Sequence, residues 1–179
     1  MKRVNVGFSL IEVLVTVTVL ATIASVAWVN AGADRDRLQL DAAARRFQLG
    51  LERARTAARR AQRSCGISLG PDAWRPPDQR FLSRDLPPCS GVPFLLQEEI
   101  EQGPIRIQTN LPVLIRVSAN GLILDGGTTV LSHKRLTRGR CLVVSLPLGV
   151  SRVGLYRGVL PSFGEAPRSR LCRPMAPES

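Results

Sequence analysis

The sequence predicts an α+β protein in which a long N-terminal helix packs on an antiparallel β-sheet. Three observations support this prediction. No proline occurs before Pro71, apolar residues recur at helical spacing as far as Arg63, and short apolar runs separated by glycine-containing turns fill the second half of the chain. A helical period in one part of a chain and strand-like runs in another are typical of this fold class.

The first part of the helix is expected to enter a membrane. No charged residue lies between Val13 and Ala33, and about 20 apolar residues in a helix span a hydrocarbon core of about 30 Å. Lys2 and Arg3 precede this segment. Because basic residues favour the cytoplasmic side, we expect a single-pass inner-membrane protein whose C-terminal domain is extracytoplasmic, in the periplasm or in a surface filament.

Glu12 is the unexpected residue at this terminus, since it adds a carboxylate to an otherwise apolar helix. A charge at the centre of a membrane helix costs about 2.5–3.5 kcal/mol on insertion scales and usually faces a protein partner or water. Gly7 and Phe8 stand just before the apolar run, after a short basic leader. A carboxylate in this position therefore predicts a function rather than a role in folding.

The stretch from Met1 to Val15 resembles the class III signal of type IV pilins and type II secretion pseudopilins, with Gly7, Phe8 and Glu12 matching residue by residue. The resemblance implies a pilin-like fold. It also implies that prepilin peptidase cuts after Gly7, that Phe8 is N-methylated, and that Glu12 neutralises the terminal amine of a neighbouring subunit. The implied partners are that peptidase, other pilins or pseudopilins, and the inner membrane.

Two other interpretations of the N-terminus stay open. Ser25-Val26-Ala27 is a tolerable site for cleavage of a secretory signal peptide, which would release a soluble basic protein. The segment could also be an uncleaved membrane anchor. Glu12 and the helical pattern beyond Ala33 argue against a removable signal, because neither is needed in one.

The sequence divides into five segments. These are a leader at 1–7, a membrane or filament-core helix at 8–33, its amphipathic continuation at 34–63, a proline-rich loop at 64–93 and a β-sheet region with a C-terminal tail at 94–179. In the continuation, apolar residues spaced three or four apart predict a face that packs on the domain, with arginines facing solvent or a neighbour. The apolar residues are Leu40, Ala43, Phe47, Leu51, Ala54, Ala58 and Ala61.

Seven strands are expected after the proline-rich loop. Turn signals such as Asn120-Gly121 separate them, as in antiparallel hairpins. Further turns are expected at Gln102-Gly103-Pro104 and Pro147-Leu148-Gly149. The predicted strands lie at 94–96, 105–107, 113–117, 122–124, 128–131, 141–145 and 153–156.

Four cysteines lie outside the membrane in the expected orientation, where oxidation to disulfides is favoured. Four cysteines allow three pairings, and sequence alone does not choose among them. We favour Cys65 with Cys89 and Cys141 with Cys172, because each pair ties a loop-rich segment to an adjacent regular element. Zinc is disfavoured because no CxxC pair is present.

The second half of the chain resembles the GspH/FimT branch of the pilin superfamily in four runs. They are Ser118-Ala119-Asn120-Gly121, Thr128–Leu131, Arg140–Ser145 and Gly149–Val153. DNA-binding members of that branch carry Gly-Arg-x-Arg in the final hairpin, whereas this chain has Gly149-Val150-Ser151-Arg152.

The net charge of +11 is almost entirely arginine, which suits phosphate and carboxylate partners. One hypothesis is that the protein captures double-stranded DNA through a C-terminal arginine patch, and the other is that a G+C-rich genome enriches arginine without a functional demand. The patch would comprise Arg138, Arg140, Arg152, Arg157, Arg168 and Arg170.

No enzyme signature is present, and no cofactor is predicted. His133 is the single histidine and is expected at the surface. Asp125-Gly126-Gly127 is interpreted as a turn rather than a calcium loop, because an EF-hand needs alternating oxygen ligands and a closing glutamate. Glu98, Glu99 and Glu101 form a dense acidic run that is expected to be solvated or to contact an arginine-rich neighbour.

Overall fold

A computed structural model describes residues 9–96, 104–146, 149–162 and 164–174, apart from the side chains of 26–31 and 33. In these ranges the chain forms one α-helix and nine strands. It divides into two compact units, Met1–Arg35 and Asp36–Ser179. Gly7, Phe8, the acidic run at 98–101, and parts of the turns expected at 102–104 and 147–149 lie outside the described residues.

Helix α1 runs from Leu10 to Ala61, close to the predicted span of 8–63. In the first unit, every described side chain between residues 9 and 25 is exposed. Among the described residues, no helix has both the length and the hydropathy of a membrane span. Membrane insertion therefore stays a prediction.

In the second unit, α1 buries one stripe against the sheets and exposes the opposite face. The predicted apolar face is confirmed except at its last position, Ala61, which is exposed. Phe47, Leu51 and Ala54 are completely buried. The spacing of three and four residues produces this stripe, because it returns side chains to the same side of a helix.

Two antiparallel sheets cover this stripe, rather than the single sheet expected. The first has the strand order β3-β2-β1-β5 and the second the order β4-β6-β7-β8-β9. Their bounds are β1 Cys65–Leu69, β2 Ala73–Arg75, β3 Phe94–Leu95, β4 Ile105–Thr109, β5 Ile115–Val117, β6 Gly127–His133, β7 Gly139–Ser145, β8 Val150–Tyr156 and β9 Cys172–Pro174.

Three strand predictions need correction. The segment at 64–93 is not only a loop, because it contains β1 and β2. The strand expected at 122–124 is reduced to one bridge between Val117 and Ile123. The C-terminal tail contributes β9, which pairs with β8 and forms one edge of the second sheet. Each missed strand is short or rich in Gly, Pro and Arg, so apolar alternation does not reveal it.

Trp74 explains why α1 contains a glycine in its second half. A β-carbon added at Gly50 would lie 2.0 Å from Trp74 Cδ1. The indole Nε1–H also donates a 3.0 Å hydrogen bond to the Phe47 carbonyl, and the rings of Phe47 and Trp74 lie 4.7 Å apart. Gly50 thus admits the indole to the helix surface, although glycine is a poor helix former.

Both favoured disulfides are present. Cys65–Cys89 joins β1 to the proline-rich segment, and Cys141–Cys172 joins β7 to β9. They close loops with sequence separations of 24 and 31 residues. In the chain-entropy model such cross-links contribute about 3–4 kcal/mol each.

Candidate functional site

Glu12 lies in the first turn of α1, next to a residue that caps the helix. Its backbone N–H donates to the carbonyl and to the hydroxyl of Ser9, at 3.1 and 3.3 Å. Serine is a favoured N-cap, and a carboxylate in the first turn interacts favourably with the helix dipole. Glu12 therefore has a local stabilising role in addition to the assembly role that the sequence predicts.

Four hydroxyl groups of the first unit donate hydrogen bonds within the helix itself. Each donates to the backbone carbonyl three residues earlier, at 2.8 Å. Such bonds pair these four hydroxyl donors within the helix. The residues concerned are Thr16, Thr18, Thr22 and Ser25.

The arginines of α1 are expected to face solvent or a neighbour, but two of them instead contact other segments of the same chain. The Arg53 guanidinium lies 4.1 Å from the centre of the Phe94 ring. Arg55 donates to the carbonyl of Gly149 in the turn between β7 and β8, and also to Glu52. These contacts fix both sheets to the helix.

Two aspartates of α1 form a contact with the β6–β7 hairpin, which we call the helix–hairpin contact. Asp36 Oδ1 lies 3.5 Å from His133 Nε2 and 3.9 Å from an Arg135 guanidinium nitrogen. Asp41 accepts two hydrogen bonds from the Arg140 guanidinium. The contact therefore secures both ends of the β6–β7 turn to the helix.

His133 is buried, so the expectation that it lies at the surface was wrong. Its side chain is 1% exposed. Nδ1 accepts a 3.2 Å hydrogen bond from the backbone N–H of Arg135, so Nε2 carries the proton in the neutral ring and faces the Asp36 carboxylate. The residue closes the turn and packs the end of β6 onto the helix.

The structure brings together five of the six arginines of the predicted C-terminal patch. Gly139 pairs with Tyr156, so Arg138 and Arg157, the next residues outward, share one end of the second sheet. The Arg157 N–H donates to the Leu171 carbonyl, which lies in the same short turn as Arg170. The Arg168 N–H donates to the Tyr156 hydroxyl at 3.3 Å, so Arg168 lies on the sheet face of Tyr156, opposite to Arg140. Arg140 reaches Asp41 from this end.

Arg152 is separate from the other five. It pairs with Val143, three positions along β7 from Arg140. Because neighbouring residues in a strand point to opposite faces, Arg152 lies on the sheet face opposite to Arg140. It also lies nearer the β7–β8 turn. The predicted patch is therefore not a single surface.

A groove lies between α1 and the β6–β7 turn, with a volume of about 550 Å³. Arg37 and Asp41 line it from the helix, while Arg138 and Arg140 line it from the hairpin. Its walls also include Leu40, Leu136 and Leu155. The groove belongs to the same arginine-rich end of the second sheet.

The carboxylate of Asp125 has a structural partner. It accepts hydrogen bonds from the backbone N–H, Nε and a terminal guanidinium nitrogen of Arg116, at 2.8, 3.0 and 2.8 Å. The hydrogen bond from the Arg116 side chain holds the pKa of Asp125 below its usual value, and Asp125 in turn raises the pKa of Arg116. These contacts support the interpretation that Asp125 belongs to a connection and not to a calcium loop.

Sequence reasoning missed Asp36 and Asp41, which position the β6–β7 hairpin, and the pairing of Asp125 with Arg116. A weak signal was available for the first two. Asp36 and Asp41 flank the first buried leucine of the stripe, Leu40, among exposed arginines. Their partners, however, lie about a hundred residues away, and nothing in a single sequence links them.

The comparison with family models finds a match that covers the buried stripe of α1 and the β6–β7 hairpin. The model for type II transport protein GspH matches residues 43–148, from the buried stripe of α1 to the β7–β8 turn. No curated protein and no solved structure matches this chain. The match covers more than half of the chain and confirms the predicted resemblance. The chain belongs to the GspH family of the pilin and pseudopilin superfamily.

Proposed function

We propose that this protein is a minor pilin or pseudopilin that is processed at Gly7, methylated at Phe8 and assembled through its N-terminal helix. The observation that carries the proposal is the GspH match combined with an exposed apolar helical segment that precedes the matched domain. Membership of this family supports a structural role in a type II secretion pseudopilus or a type IV pilus and an extracytoplasmic or membrane-associated location.

The first unit supports insertion into a membrane or a filament core. Leu10, Leu14 and Leu20 are 84%, 57% and 65% exposed, and apolar side chains on all sides of a helix are typical of one that is covered from outside. The hydroxyls that bond to their own backbone also fit an apolar environment, where every polar group needs an internal partner. In sequence, the uncharged run from Val13 to Ala33 has the length of a span.

Processing is tested on the N-terminus of the mature chain. Mass spectrometry of protein from a strain with an active prepilin peptidase should find a chain that begins with methylated Phe8. Gly7 replaced by a bulky residue should leave the full-length precursor. An intact Met1 in the wild type, or an N-terminus near Trp28, would contradict the proposal.

The test of Glu12 requires two variants, because the residue has a local role at the start of the helix and a proposed role in assembly. Glu12→Gln keeps a side chain of similar shape at the third helical position but removes the charge, while Glu12→Ala removes both. If Glu12 neutralises a neighbouring amine, both variants should insert into membranes yet co-purify poorly with other pilins, since an unpaired charge in an apolar bundle is costly. Wild-type co-purification of the glutamine variant would show that the charge is not needed.

DNA capture remains a second candidate, favoured by the five arginines that share one end of the sheet. Two observations argue against a DNA-binding surface made of all six predicted arginines. Arg140 is already bonded to Asp41, and Arg152 lies on the opposite sheet face. If the protein binds duplex DNA there, each phosphate contact should add about −0.9 to the slope of log affinity against log salt. Replacing Arg138 and Arg157 should flatten that slope, whereas replacing Arg152 should not.

A further inference from the structure

We propose that one end of the globular unit binds anionic phospholipid head groups while the subunit is still in the membrane. This inference rests on the membrane insertion proposed above. The surface, which we call the basic end, is formed by exposed cations around the point where the chain enters the second unit. Its members are Arg37, Lys134, Arg135, Arg138, Arg157, Arg168 and Arg170.

Two carboxylates near this surface are engaged by the β6–β7 hairpin, and a third, Glu165, is exposed and bonded within its own loop. Asp36 is 8% exposed and faces His133. Asp41 bonds to Arg140, and Glu165 accepts a hydrogen bond from the backbone of Ser162. The outward side of the β6–β7 turn is therefore strongly positive. The Arg135 side chain, for example, is 79% exposed.

The helix–hairpin contact holds these cations in place. His133 and Arg135 reach Asp36 from one end of the β6–β7 turn, and Arg140 reaches Asp41 from the other. A turn attached at both ends presents Arg138 on a rigid support. Arg157 lies at the same end of β8, where its N–H bonds to the Leu171 carbonyl. Arg168 lies beside the Tyr156 hydroxyl, on the opposite face of the sheet.

The short link between the uncharged segment and the second unit favours a lipid surface as the partner of the basic end. Three residue steps separate Ala33, which ends the uncharged segment, from Asp36, the first residue of the second unit. Even a fully extended chain covers at most about 10 Å in three residues. The head-group layer on each side of a bilayer is about 5–7 Å thick. If Ala33 lies at the hydrocarbon boundary, the backbone of Asp36 lies within about 10 Å of that boundary, close to the head-group layer.

The strength of such a contact can be estimated. Each arginine close to an anionic membrane raises the surface-bound population about fivefold, and the attraction fades within a Debye length of about 8 Å at physiological salt. Three arginines together would change that population by roughly 100-fold. This is enough to hold the domain against the membrane before assembly.

The test uses the full chain in nanodiscs made of phosphatidylcholine alone or mixed with phosphatidylglycerol. Retention in discs after a carbonate wash first establishes insertion. Hydrogen–deuterium exchange is then followed in peptides covering 134–140 and 164–171. We expect slower exchange in both peptides only in discs that contain phosphatidylglycerol, and loss of this protection at high salt.

Two matched triple variants identify the surface. Arg138→Gln, Arg157→Gln and Arg168→Gln remove three charges from the basic end. Arg45→Gln, Arg60→Gln and Arg84→Gln remove the same charge from other exposed positions. The first set should reduce the protection to the level in phosphatidylcholine discs, and the second should retain it.

The outcomes separate this inference from the function on which it rests. An inserted wild-type chain with equal exchange in both discs would overturn the lipid contact and leave the pilin proposal standing. A chain that the carbonate wash removes would overturn the insertion and the lipid contact together. Protection of the same peptides by duplex DNA, without an effect of phosphatidylglycerol, would assign the basic end to DNA instead.

Discussion

The two halves of helix α1 are continuous in backbone but differ in what surrounds their side chains. Between residues 9 and 25 every described side chain is exposed, including Leu14 and Val17. Between Asp36 and Ala61 one stripe is buried, and Phe47 and Leu51 are inaccessible to solvent. The first half keeps its apolar groups available to something outside the chain, whereas the second half uses them to build the core.

This difference shows that helix formation and burial have separate causes in this protein. The first half is rich in Val, Ile and Thr, which are indifferent helix formers in water, and its helix keeps its hydroxyls bonded internally. The second half is rich in Ala, Leu and Arg, which favour a helix, and is further held by ion pairs and caps. The domain should therefore depend energetically on the second half alone.

The largest effect is expected from Phe47→Ala. Removal of a buried aromatic ring costs about 3–5 kcal/mol, and here the ring also packs against Trp74. The free energy of unfolding of the full chain in detergent can be measured by urea titration. Trp74 fluorescence would report unfolding in a Trp28→Phe background, where it is the single tryptophan.

Leu14→Ala is the matched control, because Leu14 is 57% exposed in the first half. It should leave the unfolding of the domain unchanged and affect only membrane partition or assembly. Equal losses of stability from the two variants would contradict the division of roles between the halves.

Gly50→Ala is expected to change the stability of the domain less, and to lower it where helix propensity alone would raise it. Propensity alone predicts a gain of up to about 1 kcal/mol. The new methyl group would, however, overlap the Trp74 indole at 2.0 Å, and overpacking of a core costs about 1–3 kcal/mol. We expect net destabilisation together with a shifted Trp74 emission, measured in the same urea titration.

Gly32→Ala provides the comparison for this substitution, since no described atom outside its own stretch of helix lies within 4 Å of the added methyl group. It should not change the unfolding of the domain. A stabilised Gly50→Ala variant would mean that the indole can move away at little cost.

The same contrast explains what the sequence could predict. The extent of α1, its buried stripe and most strands of the second sheet follow from periodicity, because each is a local pattern of apolar residues. Both disulfide pairs were the favoured choice among three. By contrast, β1 and β2 lie in a segment that the sequence predicts to be loop, because Gly70, Pro71 and Pro76 are turn signals on either side of the buried Trp74.

The candidate site was less predictable than the fold. The arginines were identified from composition, but their division between two sheet faces depends on the register of β7 with β8. The burial of His133 depends on Asp36, nearly a hundred residues earlier. Such long-range pairings arise from packing and leave no spacing pattern in a single chain.

The smallest effect is expected at the C-terminal end of α1, where the helix stops without a glycine. Gln62 has a φ of 48°. Its N–H bonds to the Arg59 carbonyl, and the Arg63 N–H bonds to the Ala58 carbonyl, each at 3.2 Å. This is the Schellman arrangement, in which glycine is the usual residue because the left-handed conformation costs other residues about 1–2 kcal/mol.

Gln62→Gly should therefore stabilise the domain by about 0.5–1 kcal/mol, the relief of strain exceeding the added entropy of the unfolded chain. Gln48→Gly makes the same substitution within the helix and should destabilise by about 1 kcal/mol. Gln62→Ala retains a side chain in the left-handed conformation and should give no gain. Changes in the free energy of unfolding of opposite sign for the two glycine variants, measured in the same urea titration, would confirm that α1 ends at this cap. A loss of stability in Gln62→Gly would show that the Gln62 side chain stabilises the domain by more than its backbone strain costs.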